Sequence, residues 1–199
     1  MSSAQAGEHD LVVVGTSWGG LRALRGVLGG LPEDFRASIV VVQHRSGDSH
    51  PTVLRDLLAA AGPLPVHEAG DKVSLEPGHV YIAPPEFHTL VDGDHLELTL
   101  DEAVAYSRPS IDVLFETAAE SRREGCVGVV LTGANADGAA GLARIVELGG
   151  AAVVQDPETA ERPEMPRAAL RAVPTAHVAP LQEIAPLLAG LCSRAGISA

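Results

Sequence analysis

The chain has 199 residues, of which 46% are hydrophobic, 20% charged and only 3% aromatic, the make-up of a soluble globular domain whose core is built from Ala, Val, Leu and Ile. Fourteen Lys and Arg against 26 Asp and Glu give a net charge of −12, which argues against nucleic acid as a partner and against adhesion to anionic lipid, since both need a basic footprint. No apolar run approaches the roughly 20 residues that cross a bilayer, and MSSAQAGEHD has neither the basic nor the apolar region of a signal peptide, so no membrane insertion and a cytoplasmic location are expected.

Residues 1–9 are small and polar and read as a flexible tail, with one domain over 10–199. Asp10-Leu11-Val12-Val13-Val14-Gly15 is apolar throughout, as a strand buried on both faces would be. The run from Leu21 to Leu28, framed by Gly19-Gly20 and Gly29-Gly30, reads as a helix. Ser38-Ile39-Val40-Val41-Val42 is a second buried strand, followed by a helix over 51–61 with Pro51 in its first turn. A weaker third strand covers 65–68. The style then changes: the apolar run 80–83 and two segments flanking Asp92-Gly93-Asp94 signal an antiparallel insertion with a hairpin. The α/β pattern resumes with a helix over 110–123, a strand over 127–131, a helix over 139–148 and a strand over 151–154. The stretch 156–166, rich in Pro and Glu, reads as a surface loop. A short helix over 166–171, a short strand over 176–178 and a last helix over 181–194 complete the chain. Cys126 and Cys192 fall in an apolar strand and a helix without metal-ligand spacing, and are expected as reduced thiols. The fold class is therefore α/β: a doubly wound, mostly parallel sheet with helices on both faces and one antiparallel hairpin insertion. Right-handed crossovers place all the carboxyl ends of its strands on one edge.

Three segments meet at that edge. Gly15-Thr16-Ser17-Trp18-Gly19-Gly20 sets a serine on a strand-to-helix turn between glycines, the form of a nucleophile elbow, with a helix N-terminus behind it for a developing oxyanion. A plain turn with a capping serine and a dinucleotide-binding loop are the rivals; the loop fingerprint needs glycine where Ser17 stands and an acidic residue at the end of the second strand. His44 directly follows that strand, where an imidazole could take the serine proton, although a loop histidine with no such task fits the same position. His50, His79, His88 and His95 fall in loops or the hairpin, and no pair has metal-binding helical spacing. Asp137 ends Leu131-Thr132-Gly133-Ala134-Asn135-Ala136-Asp137-Gly138 and reads either as the N-cap of the next helix or as the acid that orients the imidazole, with Asp156 its competitor.

GTSWGG, VVVQH, EPGHVYIAPPEFH, RPSIDVLFETAA, VGVVLTGANADGAAGL and AAVVQD, in this order over residues 10 to 190, resemble the catalytic domain of CheB-type protein-glutamate methylesterases. The resemblance implies a catalytic triad of Ser17, His44 and Asp137, with no metal and no organic cofactor. It also implies hydrolysis of γ-glutamyl methyl esters on the methylated helical cytoplasmic region of a chemoreceptor or related sensor, releasing methanol, with glutamine deamidation as a side activity. Backbone N–H groups at Trp18 and around Ala134 and Asn135 would hold the oxyanion. Arg108 would position substrate carboxylates, a solvated loop arginine being the alternative. The sequence departs from the family at Trp18, commonly threonine; at Ala134-Asn135, commonly methionine and glycine; and over 158–164. No receiver domain precedes the first strand, so phosphorylation control in cis is expected to be absent and a separate receiver protein is a candidate partner. The alternatives are a non-catalytic binding module of the same fold and an esterase or deamidase for a protein outside chemotaxis.

Overall fold

The protein is described by a computed structural model over residues 9–44, 51–104 and 106–193. All but the last residue of the expected N-terminal tail, His50 and the end of the last expected helix lie outside these residues. Chain order gives β1 (Leu11–Thr16), α1 (Gly20–Gly29), β2 (Ser38–Gln43), α2 (Pro51–Ala59), β3 (Val66–Glu68), β4 (Val73–Ser74), β5 (Val80–Ile82), β6 (His88–Asp92) and β7 (His95–Thr99). After these come α3 (Ile111–Arg122), β8 (Cys126–Val130), α4 (Ala139–Glu147), β9 (Ala151–Gln155), α5 (Glu164–Ala172), β10 (His177–Ala179) and α6 (Leu181–Leu191).

Seven strands form one sheet in the order β10-β9-β8-β1-β2-β5-β3, every neighbouring pair parallel. Strand side chains alternate between two cores, as the two-residue repeat requires. Val12, Val14, Ile39, Val41, Val127 and Val129 face one core with Leu24 and Leu28 of α1, Leu58 of α2 and Leu188 of α6. Leu11, Val13, Val40, Val42, Cys126 and Val130 face the other, with Phe115 of α3, Ile145 of α4 and Met165 of α5. This is why the inner strands read as unbroken apolar runs. The hairpin β6–β7 pairs with β4 in a separate three-stranded antiparallel sheet, and its Val91 and Leu96 enter the second core.

Two expectations need correction. The run at 80–83 belongs to the main sheet and not to the insertion: β5 lies between β2 and β3, buried at every residue, whereas the insertion strands keep exposed positions. Pattern could not separate these cases, because a run of four apolar residues carries no period. The segment 156–166 is also more than a surface loop. It makes a 3₁₀ turn at Pro157–Thr159, and α5 begins inside it at Glu164. Cys126 and Cys192 are buried free thiols.

The winding fixes where a site can lie. From β1 the chain crosses through α1 on one face to β2; from β8 it crosses through α4 on the other face to β9. Helices leaving neighbouring strands on opposite faces open a crevice at their carboxyl ends. That crevice lies between β1 and β8, above Ser17 and the segment 132–137.

Candidate active site

The serine turn is held by its neighbour strand. Thr16 Oγ1 donates to the Thr132 carbonyl at 2.8 Å, and the Ser17 N–H donates to the same oxygen at 3.0 Å. The Gly20 N–H then donates to the Ser17 carbonyl at 3.0 Å, closing the turn into α1. Gly19 stands at φ 79°, in the left-handed region where a Cβ costs roughly 1–2 kcal/mol. The turn leaves Ser17 half-buried, and among the described residues its hydroxyl has no hydrogen-bond partner. The N–H groups of Trp18 and Ala134 likewise have no acceptor among the described residues.

His44 comes to Ser17 through strand register. Thr16 pairs with Gln43 across β1 and β2, and the His44 N–H donates to the Thr16 carbonyl at 3.0 Å. Ser17 and His44 are therefore the next step on two strands about 4.8 Å apart. Across the ring, His44 Nε2 meets Asp137 Oδ2 at 2.7 Å. Nε2 thus faces the carboxylate, and Nδ1 is the nitrogen left to work as a base.

Asp137 is not the cap of its own helix. The N-cap of α4 is Gly138, and no side chain caps it in the usual way. The Asp137 carboxylate instead reaches across to the start of α3. Its Oδ1 accepts from Ser110 Oγ (2.9 Å) and the Asp112 N–H (2.9 Å), and its Oδ2 accepts from the Ile111 N–H (2.8 Å) besides His44. The exchange is reciprocal, because Asp112 Oδ1 accepts from the Gly138 and Gly141 N–H groups, at 2.9 and 2.7 Å, at the start of α4. Two helix N-termini thus each receive a carboxylate from the other, the favourable placement for negative charge. Burial pushes the Asp137 carboxyl up, but hydrogen bonds from His44 and from the Ile111 and Asp112 N–H groups hold it below the usual carboxylate range. Burial instead dominates at Asp112 and raises its carboxyl, with the Asp137 charge adding to the rise. Asp137 is therefore the firmly ionised member, suited to orient a proton on Nε2 of His44. Neither Ser110 nor Asp112 was singled out from the sequence. A serine ahead of a helix with Asp two residues later is a cap signal, but nothing local tells that the cap supports an acid 27 residues downstream.

The other expected residues are distributed around this centre. Asn135 Nδ2 lies 3.2 Å from His44 Nδ1. Trp18 is 59% exposed beside Ser17; its Nε1 donates to Glu161 Oε1 at 3.1 Å, and the Arg162 guanidinium lies 5.4 Å from its ring centre. Glu161 and Arg162 belong to the stretch read as a loop. Arg162 and Met165 tie that stretch to the site through Gly133, whose N–H donates to the Arg162 carbonyl (3.0 Å) and whose carbonyl accepts from the Met165 N–H (2.9 Å). Arg108 Nη1 donates to the carbonyls of Leu100 (3.2 Å) and Asp101 (3.1 Å), and its Nη2 lies 3.5 Å from Glu86. Its guanidinium thus has a local structural task. Among the described residues no group of three or more His, Cys, Asp or Glu is arranged to hold a metal.

Gly133 is the tightest point of the crevice. A Cβ there would fall 1.9 Å from Met165 Sδ and 3.0 Å from Ser17 Cβ. Gly133→Ala is expected to cost about 1–3 kcal/mol by overpacking, and to lower labelling of Ser17 by an activated-serine probe at least tenfold. Thermal melts and labelling rates measured together check both; an unchanged labelling rate would show that the crevice can relax.

A model of the family described as CheB methylesterase matches residues 12–188. The chain belongs to the CheB methylesterase family. A relative from Leptospira interrogans serovar copenhageni is 44% identical over 180 residues, covering 90% of this chain and 93% of its own length. The protein-glutamate methylesterase/protein-glutamine glutaminase 2 of Anaeromyxobacter dehalogenans is 40% identical over 181 residues; there the match spans 91% of this chain and 53% of the relative. Among solved structures, the CheB methylesterase catalytic domain of Thermotoga maritima superposes with a TM-score of 0.87 at 32% identity, covering 92% of this chain and 98% of that one. The CheB fold is thus the parallel sheet with its small antiparallel companion, as the sequence led us to expect. Among the described residues no helix is long and apolar enough to cross a membrane.

Proposed function

We propose that this CheB-family chain is a protein-glutamate methylesterase in which Ser17 is the nucleophile, His44 the general base and Asp137 the residue that orients the imidazole. The observation that carries the reading is the 2.7 Å contact of His44 Nε2 with a buried carboxylate, on a histidine in register with a serine whose hydroxyl has no partner among the described residues. The carboxylate accepts a hydrogen bond from the Nε2–H of His44, which leaves the ring's lone pair on Nδ1, the nitrogen that can serve as the base.

Ser17 Oγ attacks the γ-carbonyl carbon of a methylated glutamate and its proton passes to His44 Nδ1. The carbonyl oxygen becomes an oxyanion, for which the N–H groups of Trp18 and Ala134, without an acceptor among the described residues, are the donors at hand. Collapse breaks the bond to the methoxy oxygen, which leaves with the His44 proton as methanol. Water then attacks the glutamyl-serine ester, giving its proton to His44; the carboxylate product departs and the proton returns to Ser17. A glutamine amide follows the same course and releases ammonia. The protein needs no metal or organic cofactor for these steps.

The proposed substrate is the methylated helical cytoplasmic region of a chemoreceptor or related sensor, which makes the enzyme cytoplasmic. The exposed Trp18 with Glu161 and Arg162 offers an apolar face and both charges at the mouth of the crevice, a surface suited to a polar helix. The deciding measurement is methanol release from a methylated receptor fragment, alongside fluorophosphonate labelling. Turnover that depends on Ser17 is expected; absence of both signals in the wild type would favour a binding module, and turnover only on other methylated proteins would favour a role outside chemotaxis.

A further inference from the structure

We propose that Asn135 is a positioning residue that holds His44 Nδ1 in the resting site, so that Ser17 must displace the Asn135 amide before it can give up its proton. The proposal rests on the reading of Ser17 and His44 given above.

Hydrogen-bond direction decides how the Asn135 amide is turned. The Asp137 N–H donates to Asn135 Oδ1 at 3.2 Å, the turn in which an Asn side chain caps the backbone two residues on. That contact fixes which end of the carboxamide is oxygen. The NH₂ end therefore faces His44 Nδ1, at 3.2 Å, and an NH₂ group can only donate there. The opposite ring nitrogen faces the ionised Asp137, which can only accept. Both neighbours thus demand the same tautomer, with the proton on Nε2 and the lone pair on Nδ1. Asp137 alone would secure that tautomer, so the distinct consequence of Asn135 is occupancy of the lone pair. The donor sits on an exposed residue, and its 3.2 Å separation is at the long end for such bonds. It can give way to the serine hydroxyl, at the cost of one weak hydrogen bond.

The test uses the full chain and a fluorophosphonate, with which Ser17 Oγ forms the P–O bond as the P–F bond breaks and the serine proton passes to Nδ1. Asn135→Ser keeps an acceptor for the Asp137 N–H but is too short to reach the imidazole; Asn135→Ala removes both contacts. Labelling is expected to be about fivefold faster in Asn135→Ser, the rate equivalent of one net hydrogen bond. In wild-type protein labelled with ¹⁵N, a scalar coupling between Asn135 Nδ2 and His44 Nδ1 is expected across the bond, and a merely structural asparagine would not give it. Labelling of Asn135→Ser at or below the wild-type rate, or no coupling, overturns the proposal while Ser17-dependent labelling of the wild type leaves the hydrolase reading standing. If Asn135→Ala is slowed where Asn135→Ser is accelerated, the loss belongs to the Asp137 turn and the proposal holds. No labelling in any variant removes both readings.

Discussion

Replacing Ser17 by alanine is expected to lower the kcat for methyl-ester hydrolysis by on the order of 10⁴- to 10⁶-fold, the loss that follows when a unit of nucleophile and base is broken. The same substitution should leave the fold intact. The Ser17 hydroxyl has no partner among the described residues, while the turn is held by main-chain bonds to Thr132 and Gly20, so alanine removes no hydrogen bond seen among them. The stability change should stay within about 0.5 kcal/mol, and substrate binding, read as KM, should change little. Methanol release and a thermal melt on one preparation check this. Residual turnover within tenfold of the wild type would discard Ser17 as the nucleophile, and a large drop in melting temperature would mean that the loss of activity reports unfolding.

Asp137 is expected to behave in the opposite way, with activity and stability falling together. Its carboxylate is 2% exposed and accepts from His44, Ser110 and two backbone N–H groups of α3. Asp137→Ala leaves those donors without an acceptor and should cost about 3 kcal/mol or more, a fall of roughly 6–12 °C in melting temperature for a chain of this size. Asp137→Asn tests the chemistry more finely. An amide NH₂ facing Nε2 would drive the imidazole proton to Nδ1, where it blocks acceptance from Ser17; the expected loss in kcat is about 10⁴-fold. The pH dependence has a definite sign. The folded carboxyl is held below its unfolded value, so the stability it supplies is fully present above the unfolded value of about 4 and is lost as pH falls through the lower, folded value. The gap in melting temperature between wild type and Asp137→Asn should therefore be widest above about pH 5 and close on acidification. A gap that stays constant down to pH 2 would contradict the ionised assignment.

The Asp112 carboxyl, raised by burial beside Asp137, shows how tightly these two helix starts are coupled. Each carboxylate neutralises N–H groups that belong to the other's helix. The carboxylate that meets His44 is therefore also a joint between α3 and α4. Mutational losses at Asp137 need both readouts for that reason.

Much of this protein was legible along the chain. The unbroken apolar runs at 11–14, 39–42 and 127–130 could only be strands covered on both sides, and the helical patterns between them forced crossovers that bring Ser17, His44 and Asp137 to one edge. Where the signal is short, local pattern misleads: the run at 80–83 adjoins the hairpin in sequence but joins the main sheet, and 156–166 has the composition of a loop although its backbone clamps Gly133.

The sequence by itself determined the sheet, its direction and the edge at which a serine, a histidine and an aspartate gather, because hydrophobic periodicity and chain handedness act over neighbouring residues. Only the tertiary structure decided which nitrogen of His44 faces Asp137, that Asp137 caps α3 instead of α4, and that Asn135 reaches the imidazole. Those outcomes depend on the direction of hydrogen bonds between residues 25 to 93 positions apart, and no local pattern encodes which donor meets which acceptor once the elements have packed.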